Sequence, residues 1–352
     1  MSEKILLAGN IAIAEGAILA GCQAYFGYPI TPQSEILEHM SKRMPEEGRV
    51  FVQTESEISA INMVYGAAAS GCRAMTSTSS PGFSLQQEGI SYMAGAEIPA
   101  VVVNVMRGGP GLGDIGGAQG DYFQATKGGG HGDYHLITLA PASVQEMMDF
   151  TMLAFELADK YRTPVALLPD GFLGQAIEPV IMRPPVTKFP PKPWAITGAV
   201  GRPKNIINSF AMDPIDYRPR VELLRQKFEK IRQAEVRYEG INLDDAALVI
   251  VAYGSAFRSA MTAMKMAREE ELKVGIFRPI TLFPFPSIPL FQLSKKAKRF
   301  LVAELSLGQL IEDVRLALGR ETRVELVNQF AGVPISADEI LEAIVKIMKQ
   351  AV

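Results

Sequence analysis

Two series of short hydrophobic runs, each run followed by a helix-sized segment, lie on either side of a proline-rich stretch. Strands joined by helix-length connections pair in parallel, with the helices covering both faces of a sheet. In the first series Val50-Phe51-Val52, 74–78 and 164–168 read as strands, and 98–106, with its four valines, is the strongest of them. Helices are expected at 10–20, 57–70, 81–94 and 143–158, the third beginning with Pro81 in its first turn. Small residues in the first helix (Ala12, Ala14, Gly16, Ala17) permit close packing. From 245 the alternation restarts, with strands at 247–253, 273–277, 300–303 and 323–327 and helices at 257–270, 286–295, 308–318 and 337–349. The expected fold is α/β: two doubly wound parallel-sheet domains, 1–183 and 241–352.

Residues 184–240 differ. Pro184, Pro185, Pro190, Pro191, Pro193, Pro203, Pro214 and Pro219 fall there, with the only tryptophan, Trp194. Proline removes backbone donors and fixes φ, so this stretch is expected to be a stiff connector laid over a surface, followed by a charged helix at 220–237.

A chain of 352 residues suits two domains, and 48% hydrophobic against 21% charged residues excludes a disordered polymer. Lys+Arg 35 against Asp+Glu 38, with neither sign gathered into a block, argues against a nucleic-acid surface or a polybasic membrane anchor. Cys22 and Cys72 cannot ligate an iron–sulfur cluster, and three histidines (His39, His131, His135) argue against a zinc site. The N-terminal apolar run is too short for a signal peptide, and no apolar stretch reaches the ~18 residues of a membrane span. The expected location is cytoplasmic.

Gly111, Gly113 and Gly116 match GxGxxG directly after a strand, the spacing of a dinucleotide-binding turn. That turn needs its third glycine in a helix, whereas Gly117-Ala118-Gln119-Gly120-Asp121 is poor helix material. A glycine loop beside a ligand is the better expectation, and a second tract (Gly128, Gly129, Gly130, Gly132) suggests a mobile lid. No GxxxxGK[ST] phosphate loop occurs. Thr31, between Pro29 and Pro32, is expected to cap a helix with Pro32 in its first position, either as a plain cap or as a fixed hydroxyl where anions bind. Glu55 and Glu57 start a helix, either complementing its dipole or standing at a ligand-binding strand end. Arg107 ends the strongest strand, either as a solvated cap or as a carboxylate clamp.

Taken together, Gly-Tyr-Pro-Ile-Thr-Pro at 27–32, Gln-Thr-Glu-Ser-Glu-Ile at 53–58 and Val-Met-Arg-Gly-Gly-Pro at 105–110 resemble the alpha subunit of 2-oxoacid:ferredoxin oxidoreductases. Gly-Gly-Gly-His-Gly-Asp-Tyr at 128–134 and Phe-Arg-Pro-Ile-Thr-Leu-Phe-Pro-Phe-Pro at 277–286 do so too, and the likeness is greatest to the 2-oxoisovalerate and 2-oxoglutarate types. The resemblance implies a pyrimidine-binding domain for thiamine diphosphate followed by a transketolase C-terminal-like domain. It also implies the reaction: a 2-oxoacid and coenzyme A give acyl-CoA, CO₂ and two electrons for ferredoxin. A glutamate on the aminopyrimidine ring is implied. Counting back nine residues from Gly66 gives Glu57, with Glu55 in reserve; Tyr28 and Pro29 are implied beside the cofactor. Thr31 and Arg107 match the substrate-side threonine and the carboxylate-binding arginine.

No GDG segment for Mg²⁺ and diphosphate occurs, since Gly120-Asp121-Tyr122 and Gly132-Asp133-Tyr134 lack the second glycine. Half an active site is therefore expected. A beta subunit would carry Mg²⁺, the diphosphate site and a [4Fe-4S] cluster, with gamma and ferredoxin-like delta subunits besides. Two competing readings are a nicotinamide-dependent dehydrogenase and a non-catalytic scaffold of the same fold.

Overall fold

The computed structural model describes residues 4–349; Met1, Ser2 and Glu3 of the N-terminal stretch discussed above lie outside that range. The first half runs β1 (Lys4–Ala8), α1 (Gly9–Leu19), β2 (Ala24–Gly27), α2 (Ser34–Glu46), β3 (Val50–Gln53), α3 (Glu57–Ala69), β4 (Ala74–Thr78), α4 (Ser80–Gly95) and β5 (Ala100–Asn104). It continues through α5 (Tyr122–Thr126), β6 (Ile137–Leu139), α6 (Val144–Tyr161), β7 (Pro164–Leu167), α7 (Gly171–Gln175) and β8 (Ile177–Ile181). After the connector come α8 (Pro214–Ala234), β9 (Tyr238–Ile241), β10 (Leu248–Val251), α9 (Gly254–Glu269), β11 (Val274–Pro279) and β12 (Thr281–Phe283). The chain closes with α10 (Ser287–Ser294), β13 (Arg299–Glu304), α11 (Leu310–Leu318), β14 (Arg323–Asn328) and α12 (Ala337–Lys349).

The first sheet has the order β12-β6-β7-β5-β4-β2-β3, and every pair in it except β12–β6 is parallel. The second has the order β14-β13-β10-β11-β9, parallel except for β9. β1 and β8 form a separate antiparallel pair. Strands β4, β5, β6 and β7 are buried along their whole length, as expected of a sheet covered on both faces. α2 and α6, bridged by α1, cover one face of the first sheet, and α3 and α4 cover the other.

Two expectations shift. β12, from residues expected in the second domain, completes the first sheet instead, pairing antiparallel with β6. β9 and α8 occupy the end of the expected connector: β9 joins the second sheet, while α8 sends Leu224, Phe228 and Ile231 into the core. The rest of the connector is the surface strap its prolines suggest. It is pinned by Lys192 on Asp159 (2.7 Å) and by the Ile196 N–H donating to the Ala69 carbonyl (2.9 Å).

In each sheet the chain leaves one central strand to one side and later returns to the other. β2 leads to β3 while β4 lies on its far side; β10 leads to β11 while β13 lies on its far side. A doubly wound fold opens a crevice at such a reversal, beyond the carboxyl ends of the two strands.

Candidate active site

The crevice of the first sheet gathers residues from four neighbouring strand ends: Tyr28–Thr31 after β2, Glu55 and Glu57 after β3, Ser79 and Ser80 after β4, and Arg107 after β5. α3 is capped by Ser56, whose Oγ accepts the Ser59 N–H (3.2 Å). Capping places Glu57 in the first turn, and the two glutamates part there. Glu55 is exposed and accepts a hydrogen bond from the Ser59 hydroxyl (3.2 Å). Glu57 is 5% exposed and takes no hydrogen bond or ion pair from any described residue.

A carboxylate without a donor on a nearly enclosed side chain depends on what lies around it. Across from it lies Gly82, in the first turn of α4. A Cβ there would come within 2.4 Å of Glu57 Oε1 and 2.0 Å of Thr78 Oγ1, so only glycine leaves the carboxylate its place. The hydroxyls of Thr78 and Ser79 and the Nε–H of Arg107 are buried and unpartnered. Three buried polar groups without partners, beside a carboxylate that takes no hydrogen bond from any described residue, mark a ligand site at these strand ends. A carboxylate able to accept from a ring nitrogen, beside two hydroxyls and a side-chain-free helix turn, fits the pyrimidine half of thiamine diphosphate.

Arg107 is 7% exposed, so the solvated-cap alternative is overturned. Its Nη1 donates to the Thr31 carbonyl (2.9 Å), its Nη2 to the Leu112 carbonyl (2.8 Å), and its backbone N–H to Ser80 Oγ (3.0 Å). The Ser80 hydroxyl reaches Asp121 (2.5 Å), which also accepts from Asn104 Nδ2 (2.9 Å). Burial pushes the Asp121 carboxyl above its ordinary range, against the pull of those two donors and of Arg107. Arg107, Ser80, Pro81 and Asp121 share a cavity of about 450 Å³ with Leu305 and Phe330 from beyond the second sheet.

Thr31 does not cap a helix. α2 starts at Ser34 after Gln33, because the Thr31 carbonyl is held by Arg107 and the Pro32 carbonyl by Asn10 Nδ2 (2.7 Å) and Gln175 Nε2 (3.2 Å). Thr31, Tyr28 and Pro29 are exposed on a loop braced from below: Gln33 Nε2 donates to the Tyr28 carbonyl (3.1 Å) and Gln33 Oε1 accepts from the Ser77 hydroxyl (2.6 Å). Ser79, Ser80 and Gly82 were not singled out in the sequence. The Ser-Ser-Pro-Gly run at a strand-to-helix junction was the available signal.

The glycine tracts part company. The first folds on itself after β5, with the Gly108 N–H on the Gly116 carbonyl (2.9 Å), and its tip exposes Leu112 and Ile115. Gly116 begins no helix, and the next one, α5, has five residues, so the dinucleotide fingerprint has no structural counterpart. The second tract lies along the far part of α4, tied by the Ser91 hydroxyl on the His131 carbonyl (2.7 Å) and by the Gly130 N–H on the Tyr134 hydroxyl (2.9 Å). It is packed there rather than held over the crevice.

Among the described residues no cluster of three or more His, Cys, Asp or Glu could hold a metal ion, and no helix is long and apolar enough to cross a membrane. The profile of the thiamine diphosphate-binding domain of pyruvate flavodoxin/ferredoxin oxidoreductases matches residues 15–200, and that of pyruvate:ferredoxin oxidoreductase core domain II matches 246–340. The chain belongs to the 2-oxoacid:ferredoxin oxidoreductase family. It is 52% identical to the ketoisovalerate oxidoreductase subunit VorB of Methanothermobacter thermautotrophicus over 340 residues, 96% of each chain. A solved 2-oxoglutarate:ferredoxin oxidoreductase from Magnetococcus marinus, with 2-oxoglutarate, coenzyme A and succinyl-CoA bound, superposes with a TM-score of 0.87 at 26% identity. It covers 99% of this chain, which spans 66% of that neighbour's length. A split-gene transketolase chain shares the fold alone, with a TM-score of 0.60 at 14% identity over 97% of each chain. Nothing in these matches supports a nicotinamide enzyme.

Proposed function

We propose that this chain forms the pyrimidine-side half of a thiamine diphosphate site and oxidatively decarboxylates a 2-oxoacid, 2-oxoisovalerate or 2-oxoglutarate. Coenzyme A takes the acyl group, and ferredoxin takes the two electrons through clusters on partner subunits. The observation that carries this reading is the Glu57 carboxylate, on a residue 5% exposed and without a hydrogen bond from any described residue, facing Gly82 and the buried, free Thr78 and Ser79 hydroxyls. Thiamine diphosphate supplies a carbon nucleophile that accepts the electrons released on loss of CO₂.

The chain's own residues have three tasks. Glu57 holds the cofactor's ring nitrogen through a shared proton, with Glu55 too exposed to replace it. Arg107 receives the substrate carboxylate. Its Nε–H is unpaired, and the Leu112 carbonyl on Nη2 belongs to an exposed loop tip, so moving that tip opens the Nε/Nη2 edge to a planar carboxylate. Thr31 offers its hydroxyl to the oxoacid, and the Tyr28-Pro29 turn borders the cofactor.

The remaining half belongs to a beta subunit carrying Mg²⁺, the diphosphate site and a [4Fe-4S] cluster, joined by gamma and ferredoxin-like delta subunits. Exposed Ile58 and Met63 on α3 and Leu85 and Tyr92 on α4 support a docked neighbour close to Glu57. The test is to purify the chain alone and with its partners, then follow coenzyme A-dependent reduction of a low-potential dye with each oxoacid. Activity is expected only in the complex. Turnover by the single chain with thiamine diphosphate and Mg²⁺ would sink the half-site reading, and an inert complete complex would favour the scaffold.

A further inference from the structure

The second sheet has a crevice of its own, beyond the ends of β10 and β13, and a residue of the first unit fills it. Gln119 is fully buried there. Its Nε2 donates to the Tyr253 carbonyl after β10 (2.9 Å), and its Oε1 accepts the Leu305 N–H after β13 (2.9 Å). Its own N–H donates to the Leu305 carbonyl (2.7 Å). One amide thus bridges the two strand ends that a bound ligand would bridge. The helix terminus beside it is taken as well: Asp170, from beyond β7, is fully buried and accepts the Ser255 N–H in the first turn of α9 (2.8 Å). A Cβ on Gly254 would stand 2.6 Å from Asp170 Oδ2 and 2.7 Å from Gln119 Nε2, so the crevice is shaped to admit these two side chains.

The segment around Gln119 faces both ways. Gln309, just before α11, accepts the Phe123 N–H (2.8 Å) and donates to the Gly120 carbonyl (2.6 Å), and the Tyr122 hydroxyl donates to Asp313 (2.5 Å). Two residues on from Gln119, Asp121 turns back to the first crevice and holds the Ser80 hydroxyl, which accepts the Arg107 N–H. We propose that Gln119 is a positioning residue: seated in the second crevice, it anchors the Asp121–Ser80–Arg107 chain and so fixes the oxoacid-binding end of the first. The second crevice is on this view a docking socket. The proposal rests on the reading of Arg107 as the carboxylate clamp and goes beyond it.

The test uses the assembled complex with Gln119→Leu, which keeps the bulk and loses both side-chain bonds, and Gln119→Glu, which keeps the acceptor toward Leu305. Arg107→Lys is the control. A socket role predicts that Gln119→Leu raises the oxoacid KM roughly tenfold or more with kcat within about threefold, and that Gln119→Glu recovers part of the loss. If Gln119→Leu does not assemble, the KM of Gln119→Glu alone decides, with a rise of about threefold or more expected. An unchanged KM in an assembled Gln119 variant, or a fall in kcat alone, overturns the proposal when Arg107→Lys still raises KM. If Arg107→Lys is also silent, the clamp itself has failed and the proposal falls with it.

Discussion

The crevice between β2 and β4 and the crevice between β10 and β13 are the same place in two versions of one architecture, and only the second is bridged by a side chain from the other unit. In the second, side chains from the first unit pair the backbone at the strand ends, Gln119 taking Tyr253 and Leu305 and Asp170 taking the α9 terminus, while the Tyr253 and Ser255 hydroxyls stay buried without partners. In the first, the Thr78 and Ser79 hydroxyls and the Arg107 Nε–H are buried without partners, and the Glu57 carboxylate takes no hydrogen bond from any described residue. Side chains that bridge two strand ends make a rigid joint, whereas polar groups left without a bridge hold free energy that a ligand releases on binding. What separates the two crevices is that the chain's own side chains bridge the strand ends of the second, not that every polar group there is satisfied.

The largest expected effect tests the unpaired carboxylate. Glu57→Gln in the complex should lower kcat by on the order of 10²–10⁴-fold, because a glutamine fills the space but cannot share and move a proton. Glu55→Gln should cost less than about threefold, as an exposed substitution. Steady-state rates at saturating cofactor check both. Equal losses would shift the assignment by two residues. Next comes Gly82→Ala, which helix propensity alone would favour by about 0.5–1 kcal/mol. The added methyl meets Thr78 Oγ1 and Glu57 Oε1, so thiamine diphosphate affinity should fall roughly 100-fold while the fold persists. Isothermal titration of the complex measures it, and an unchanged affinity would mean that the carboxylate sits elsewhere when the site is loaded.

Arg107→Lys ranks third. Lysine keeps the charge and loses the fork, together with at least one of the bonds to the Thr31 and Leu112 carbonyls. A loss of about 1.5–3 kcal/mol, or roughly 10- to 150-fold in kcat/KM, is expected. Less than a threefold change in both Arg107→Lys and Arg107→Ala would remove the clamp.

How far the sequence discloses this depends on the type of signal. Helices 57–70, 143–158 and 337–349 are legible because their periodicity is long and their burial one-sided, and strand 98–106 because it is a nearly continuous apolar run buried on both faces; the structure places them at Glu57–Ala69, Val144–Tyr161, Ala337–Lys349 and Ala100–Asn104. β6, β9 and β12 escape because three or four residues carry no period, and β12 is a strand only through its partner β6. Glu57 and Glu55 cannot be separated by spacing, and burial parts them. Thr31 fails as a cap because a guanidinium 76 residues away claims its carbonyl, a tertiary contact that local pattern does not encode. Gln119 gave no signal at all, since an amide is informative only through what it bridges.

The smallest effect concerns the join between the two crevices. Burial raises the Asp121 carboxyl, and the Ser80 and Asn104 donors and the Arg107 charge offset only part of that. A carboxyl whose folded pKa lies above its unfolded one binds more protons when folded between the two values. Stability is therefore full below the ordinary value of 3.8, falls as pH rises through the window up to the folded value, and is flat above it. Asp121→Asn keeps an oxygen that can accept from both Ser80 and Asn104, as both bonds end on Oδ2, and has no proton to lose. Chemical unfolding of the two proteins across that range should show the variant gaining on the wild type as pH rises, with no further gain once the wild-type carboxyl has ionised. Parallel curves would mean that the carboxylate is as well stabilised at the join as in water. The first crevice would then begin beyond Asp121, at Ser80.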